Sequence, residues 1–341
     1  MSPEFVAAFG VKVFLENCAL FGEKLEISCP RCGAYVEVEK VFCVRCGYRV
    51  IPLTPYDLSV NDFIYPPDRD GLESLKQFKF LLPIVNALVV KRYVNDMGKW
   101  LSRNAVKIDL SSELGSMIRE CGVMLGLKAL PEAYMLRSDK ANAFTFGSGE
   151  KQYLVLTSSL VEILSKDELR ATIAHELGHV KCEHVTYHTL AELLTSGLEF
   201  SSNIFGAGLE AISPMFKLIL LSWHRESEVS ADRASLLVVG DLEIIRSTLA
   251  KLSLNTSKDS KNAGGESIAD SLLEIFSTHP TYPNRIKLLA EYYESREYAM
   301  AREKVKRRIK LAKALAPKCR YCGAAKKITD LFCPICKRSQ I

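Results

Sequence analysis

The chain has 341 residues, 48% hydrophobic and 25% charged, with a formal net charge of +5. That is the composition of a globular, soluble class, long enough for two or three units of which one holds a sizeable core. No run of about 18 apolar residues occurs, which excludes an ordinary membrane-spanning helix, and the Glu4-bearing start without a basic run argues against a secretory signal.

In chain order, residues 1–25 read as an amphipathic preface, 26–51 as a small cysteine module and 52–71, rich in Pro and Asp, as a linker. A larger unit follows over 72–316. Apolar spacing predicts a helix from Leu72 to about Asn104, kinked at Pro83, and another capped by Ser111 or Ser112. Residues 133–137, 143–147 and 152–157 read as short strands. A long helix is predicted from Lys166 to about Leu194, with Ser165 and Glu168 as its capping box. Residues 195–221 read as interrupted helix and 223–239 as a further helix. The polar stretch 255–267 reads as a loop, and a basic helix runs from Pro283 to about Leu315. A second cysteine module closes the chain at 317–341. The fold class expected is therefore mainly helical α+β, with one small sheet and two cysteine modules. Charge is uneven: residues 302–341 hold thirteen Lys/Arg against two acidic residues, and the remainder sums to −6. A basic end of this kind is either a solvated surface or a contact for an anionic partner.

The strongest chemical pattern is His175-Glu176-Leu177-Gly178-His179. Residues i and i+4 share one helical face, so two imidazoles can hold one Zn²⁺, at about 2.0–2.1 Å each. Glu176 is then placed to act as general base on a zinc-activated water. Catalytic zinc takes a third protein ligand. The metzincin arrangement would need Gly at 182 and His at 185, where this chain has Cys182 and Val185, and His184 is one step out of register and reads as a supporting or surface histidine. A later helix offers Glu226 and Glu228. Glu228 has Asp232 at i+4, able to accept a hydrogen bond from a zinc-bound imidazole, whereas Glu226 has only Ser230. Glu228 is therefore the expected third ligand, with Asp232 behind it and Arg225 to orient its carboxylate. In THPTYPNRI (278–286), His279 is the candidate donor to the tetrahedral oxyanion and Tyr282 a weaker one, while Arg285 reads as an anchor for an acidic group.

Together, NAFTFG (142–147), HELGH (175–179), the Glu228…Asp232 segment and the THP…RI turn resemble the HtpX-like zinc metallopeptidases, gluzincins related to the CaaX prenyl-protein endopeptidases, over about residues 72–300. The resemblance implies a gluzincin core with ligands His175, His179 and Glu228, base Glu176, and His279 near the oxyanion. It also implies a substrate-pairing strand with Asn142, Ala143, Phe144 and Thr145. An extended peptide added to a strand edge is bound with tolerance for its sequence. The stretch 189–222 carries Glu192, Glu199, Glu210 and Lys217, and so resembles soluble members rather than membrane ones.

Eight of the eleven cysteines form two equal sets: Cys29, Cys32, Cys43, Cys46 and Cys319, Cys322, Cys333, Cys336. Each has zinc-ribbon spacing, so two structural Zn²⁺ are expected beside one catalytic Zn²⁺, with iron in a rubredoxin-like site as the competing reading of the cysteine sets. Thiolates that must stay reduced favour the cytoplasm. Cys18, Cys121 and Cys182 read as small buried hydrophobes. The expected activity is hydrolysis of polypeptide substrates. The ribbons are expected to act as staples or protein contacts, with peripheral membrane contact as a further option. The alternative is a latent or vestigial peptidase that works as a protein- or nucleic-acid-binding module through its ribbons and basic helix.

Overall fold

A computed structural model describes residues 26–37, 40–51, 57–78, 90–195, 214–259, 282–315, 319, 321–324 and 335–338. The preface 1–25, His279 and Cys333 lie outside them. The elements in order are β1 (Glu26–Ser28), β2 (Tyr35–Glu37), α1 (Pro66–Lys76), α2 (Lys91–Asn104), β3 (Val106–Lys107) and α3 (Glu113–Met124). They continue with β4 (Glu132–Leu136), β5 (Ala143–Ser148), β6 (Lys151–Thr157), α4 (Ser158–Ile163), α5 (Lys166–Lys181) and α6 (Val185–Thr195). The chain ends through α7 (Pro214–Val239), α8 (Leu242–Asp259), α9 (Tyr282–Tyr293) and α10 (Arg296–Leu315). The result is mainly helical with two small sheets. Among the described residues no helix is long and apolar enough to cross a membrane.

The larger sheet has the order β3-β4-β6-β5. The β4–β6 pair is parallel and the other two pairs are antiparallel, with Ala143 opposite Leu156 and Phe144 opposite Val155. Its side chains alternate between two cores, as a pleated strand requires. Ala133, Ala143, Leu154 and Leu156 face a layer containing Ile118, Ile173, Leu177 and Leu237. Tyr134, Phe144, Phe146, Tyr153 and Val155 face Leu75, Tyr93, Leu190 and Trp223. The sheet is thus covered by helices on both sides, and β5 forms its edge beside α5 and α6.

Serine caps hold where the pattern placed them. Ser112 accepts from Gly115 N, and Ser165 and Glu168 form a reciprocal capping box. Several boundaries differ from expectation. The supposed linker is folded from Asp57 onward: Leu58 and Phe63 are buried, and α1 starts at Pro66, where a missing N–H does no harm. The helix predicted over 72–104 appears as α1 and α2 on either side of residues 79–89, which are not described. The long 166–194 helix breaks after Lys181, because Glu183 takes a left-handed φ of 63° and reverses the chain into α6. A non-glycine residue rarely does this, so no turn residue marked the break. The last helix is likewise split, with the Ser295 hydroxyl accepting from Tyr298 N to start α10. At two other ends α7 begins earlier than expected, at Pro214, and α8 extends helix into the polar stretch as far as Asp259.

The first cysteine module sits against the main body. Leu130 N donates to Gly47 O, Arg49 N donates to Lys128 O, and Phe42 enters the main core. The Arg49 guanidinium reaches Asp57 at 3.3 Å and the carbonyls of Ile51 and Leu127.

Candidate metal centre

Two helices build the centre. α5 carries His175, Glu176 and His179, and α7 carries Glu228 and Asp232; all five are buried. The helices cross closely at Gly178, where an added Cβ would lie 2.9 Å from Ala234 Cβ and 3.1 Å from Ala231 Cα. Glycine inside the motif therefore has a packing reason: it lets the histidine pair approach Glu228.

His175 Nε2 and His179 Nε2 are 3.2 Å apart, and each is 3.4 Å from one oxygen of Glu228. The other nitrogen of each ring is engaged from behind. His175 Nδ1 lies 3.0 Å from Asp232 Oδ1, and Asp232 is in turn gripped by Arg285 at 2.8 and 2.7 Å. His179 Nδ1 lies 3.2 Å from His184 Nδ1. His184 Nε2 is 3.1 Å from Asp68 Oδ2, at an angle too oblique for a full hydrogen bond. Asp68 accepts from Trp223 Nε1 at 2.7 Å and from the Ser230 hydroxyl. Anchoring the Nδ1 side aims both Nε2 atoms at one point facing a carboxylate. Two imidazole nitrogens and a carboxylate oxygen are a donor set that suits zinc, so the residues fit that ion.

The electrostatics agree with a cation-seeking site. Burial opposes a charge on His175, yet Asp232 and Glu228 outweigh it and lift its pKa to about 10. Burial also drives His179 down to about 3, with Glu228 compensating only in part. Burial would raise Asp232, but Arg285 and His175 hold it at about 2. The His175 ring thus lies between the Asp232 and Glu228 carboxylates, which favour its protonated form. Arg285 also contacts Glu228, at 3.2 Å. The expectation for Arg225 fails: that side chain is exposed, and the guanidinium at Glu228 comes from α9 instead.

Glu176 receives a hydrogen bond from Thr145 Oγ1 at 3.0 Å, across from β5. It lines a pocket with Asn142, Ala143 and His175, to which Ile245, Leu249 and Leu252 of α8 also contribute. Of the four residues expected on a substrate strand, Asn142 and Ala143 line this pocket and Thr145 bonds Glu176. Phe144 points to the opposite face of the sheet and packs beside Phe146. The same strand is tied at its far end, where Gly147 N donates to Thr189 Oγ1.

His188, His224, Asp68 and Trp223 were not singled out from sequence. His184–His188 and His224–Glu228 repeat the i, i+4 spacing that exposed His175–His179, and that spacing was the available clue. Asp68 gave none, since its role depends on α1 folding against α7.

In the first cysteine module Cys29, Cys32, Cys43 and Cys46 gather their sulfurs within 4.8 Å of one another. Gly33 and Gly47, at φ of 69° and 68°, turn the two knuckles. Burial works against ionising Cys29, but backbone N–H groups of Cys32 and Arg31 bring it down to about 7. Cys319, Cys322 and Cys336 form a matching group at the other end, with Lys337 taking the left-handed φ of 58° that glycine supplies elsewhere. Cys121 and Cys182 are buried in the core, as expected.

Residues 109–293 match the model of peptidase family M48. The chain is 34% identical over 232 residues to the plastoglobule-localized metallopeptidase 48, chloroplastic, of Arabidopsis thaliana, covering 65% of this chain and 62% of that protein. It is 26% identical over 245 residues to a protease HtpX homolog of Paraburkholderia phytofirmans, covering 60% and 86%. Among solved structures, Ste24p of S. mikatae aligns at 20% identity with a TM-score of 0.35, over 66% of this chain and 61% of that one.

Proposed function

The chain belongs to peptidase family M48, and on that premise we propose that it is a zinc-dependent metalloendopeptidase acting on polypeptide substrates. One observation carries the reading: His175 Nε2, His179 Nε2 and the Glu228 carboxylate converge on one point with Glu176 beside it. In this reading His175, His179 and Glu228 hold Zn²⁺, and Asp232 keeps His175 in the tautomer that ligation needs. When bound, the ion would polarise a scissile carbonyl and lower the pKa of a water to about 7.

The chain's own groups do the rest. Glu176, oriented by Thr145, takes the proton of the attacking water and returns it to the leaving amine. The Asn142–Thr145 strand aligns the peptide, and the apolar wall of Ile245, Leu249 and Leu252 accepts a substrate side chain. His279 is the candidate donor to the oxyanion. The two cysteine sets hold structural Zn²⁺, which needs a reducing compartment such as the cytoplasm. The family match and the converging donor set favour the peptidase over the binding-module alternative.

The test is Glu176→Gln. The variant should keep the zinc content of the wild type and lose hydrolysis of an unfolded protein such as casein. Hydrolysis at the wild-type rate would overturn the reading.

A further inference from the structure

Beside the centre just described lies a second group of metal-competent side chains. His188 on α6 and His224 on α7 pack with ring centroids 4.3 Å apart. Ligand atoms of His188, His224 and Glu228 all lie within 4.8 Å of one another. We propose that His188, His224 and Glu228 form a second site for a zinc-class divalent cation, sharing Glu228 with the first.

The hydrogen bonding around the two rings carries the argument. Ser227 Oγ donates its single proton to His224 O at 2.8 Å. In that arrangement it accepts from His188 Nε2, 2.6 Å away, which puts the His188 proton on Nε2 and leaves the Nδ1 lone pair for a ligand. His224 Nε2 faces Glu192 Oε1 at 3.3 Å. That carboxylate holds the proton on Nε2 and again leaves Nδ1 as the ligating atom. Each ring thus has an oxygen partner fixing its tautomer, the arrangement that supports metal-bound histidine elsewhere. A third combination, His179, His184 and His188, is also close enough to hold an ion. It draws on His179, which the first site already uses, so it is the poorer choice.

Sharing Glu228 sets the behaviour of the pair. A single carboxylate charge serves two ions that repel each other, so the second should bind more weakly than the first. The inference does not need the first ion to be catalytic, only that Glu228 stands between the two histidine groups.

The experiment is a zinc titration of the full chain against a chromophoric chelator, with metal analysis, for wild type, His224→Gln, Glu192→Gln and His175→Ala. Wild type should show one weaker equivalent beyond those held by the cysteine sets and the His175 site. His224→Gln should lose that equivalent alone, and Glu192→Gln should weaken it about 10–100-fold. His175→Ala should lose a different, tighter equivalent. If it does not, the peptidase reading fails while this one still stands or falls on His224. Identical titrations for wild type and His224→Gln would overturn the second site. Should that variant fail to fold by near-ultraviolet circular dichroism, absence of the weaker equivalent in wild type would overturn it equally.

Discussion

His184 Nδ1 lies 3.2 Å from His179 Nδ1, which makes a histidine outside the HELGH motif part of the support for one inside it. His184 is fully buried and backed by Asp68 from α1, so the orientation of His179 depends on an element more than a hundred residues away in sequence.

Replacing His184 with Asn should lower zinc affinity at the His175–His179 site about 10–100-fold while leaving the far-ultraviolet circular dichroism spectrum unchanged. Chelator competition measures it. Wild-type affinity in the variant would mean that His184 only fills space.

Gly178→Ala should destabilise the protein by about 1–3 kcal/mol, because the new methyl meets Ala234 at 2.9 Å. It should also reduce zinc retention, since α5 and α7 each carry proposed ligands. Adding Ala234→Gly should restore only part of both losses, because Ala231 Cα still lies 3.1 Å from the new methyl. Urea unfolding and metal analysis of the single and double variants decide the matter.

Zinc binding at the centre should release close to one proton per ion at pH 7, because His175 in the metal-free site is held at about 10 by Asp232 and Glu228 against the effect of burial. Calorimetry in two buffers of different ionisation enthalpy counts the protons. The affinity should rise with pH up to about 10. A proton count of zero would contradict the charge balance described for the metal-free site.

Glu168 caps α5 and joins it to α8. It accepts from Ser165 N at 2.7 Å, Ser247 Oγ at 2.6 Å and Lys251 Nζ at 2.7 Å. Burial would raise its pKa, but Lys251, Ser247 and Ser165 hold it at about 2, below the ordinary 4.5. A depressed carboxylate stabilises the fold above its unfolded pKa, and that contribution is lost as pH falls from about 4.5 toward 2. The wild-type urea midpoint should therefore drop between pH 5 and pH 3 more than that of Glu168→Gln. Equal drops would show that Glu168 contributes nothing to acid stability.

Sequence alone determined whatever depends on local spacing. The helical face of His175 and His179, the Ser165–Glu168 capping box, the three strand cores and the two cysteine sets are all written within a few residues of each other. Glu228 and Asp232 were reachable too, because their i, i+4 spacing shows which carboxylate has a second one on its own face. Only the tertiary structure decided the rest. The break at Glu183 carries no glycine or proline, yet it turns His184 and His188 back toward α5. Asp68 sat in an apparent linker until α1 packed on α7. Arg285 replaced Arg225 at Glu228 because α9, not the neighbouring turn, brings a guanidinium to that side. In each case the deciding contact joins elements far apart in the chain, and it forms because polar groups buried by the packed helices must find partners wherever those helices bring them.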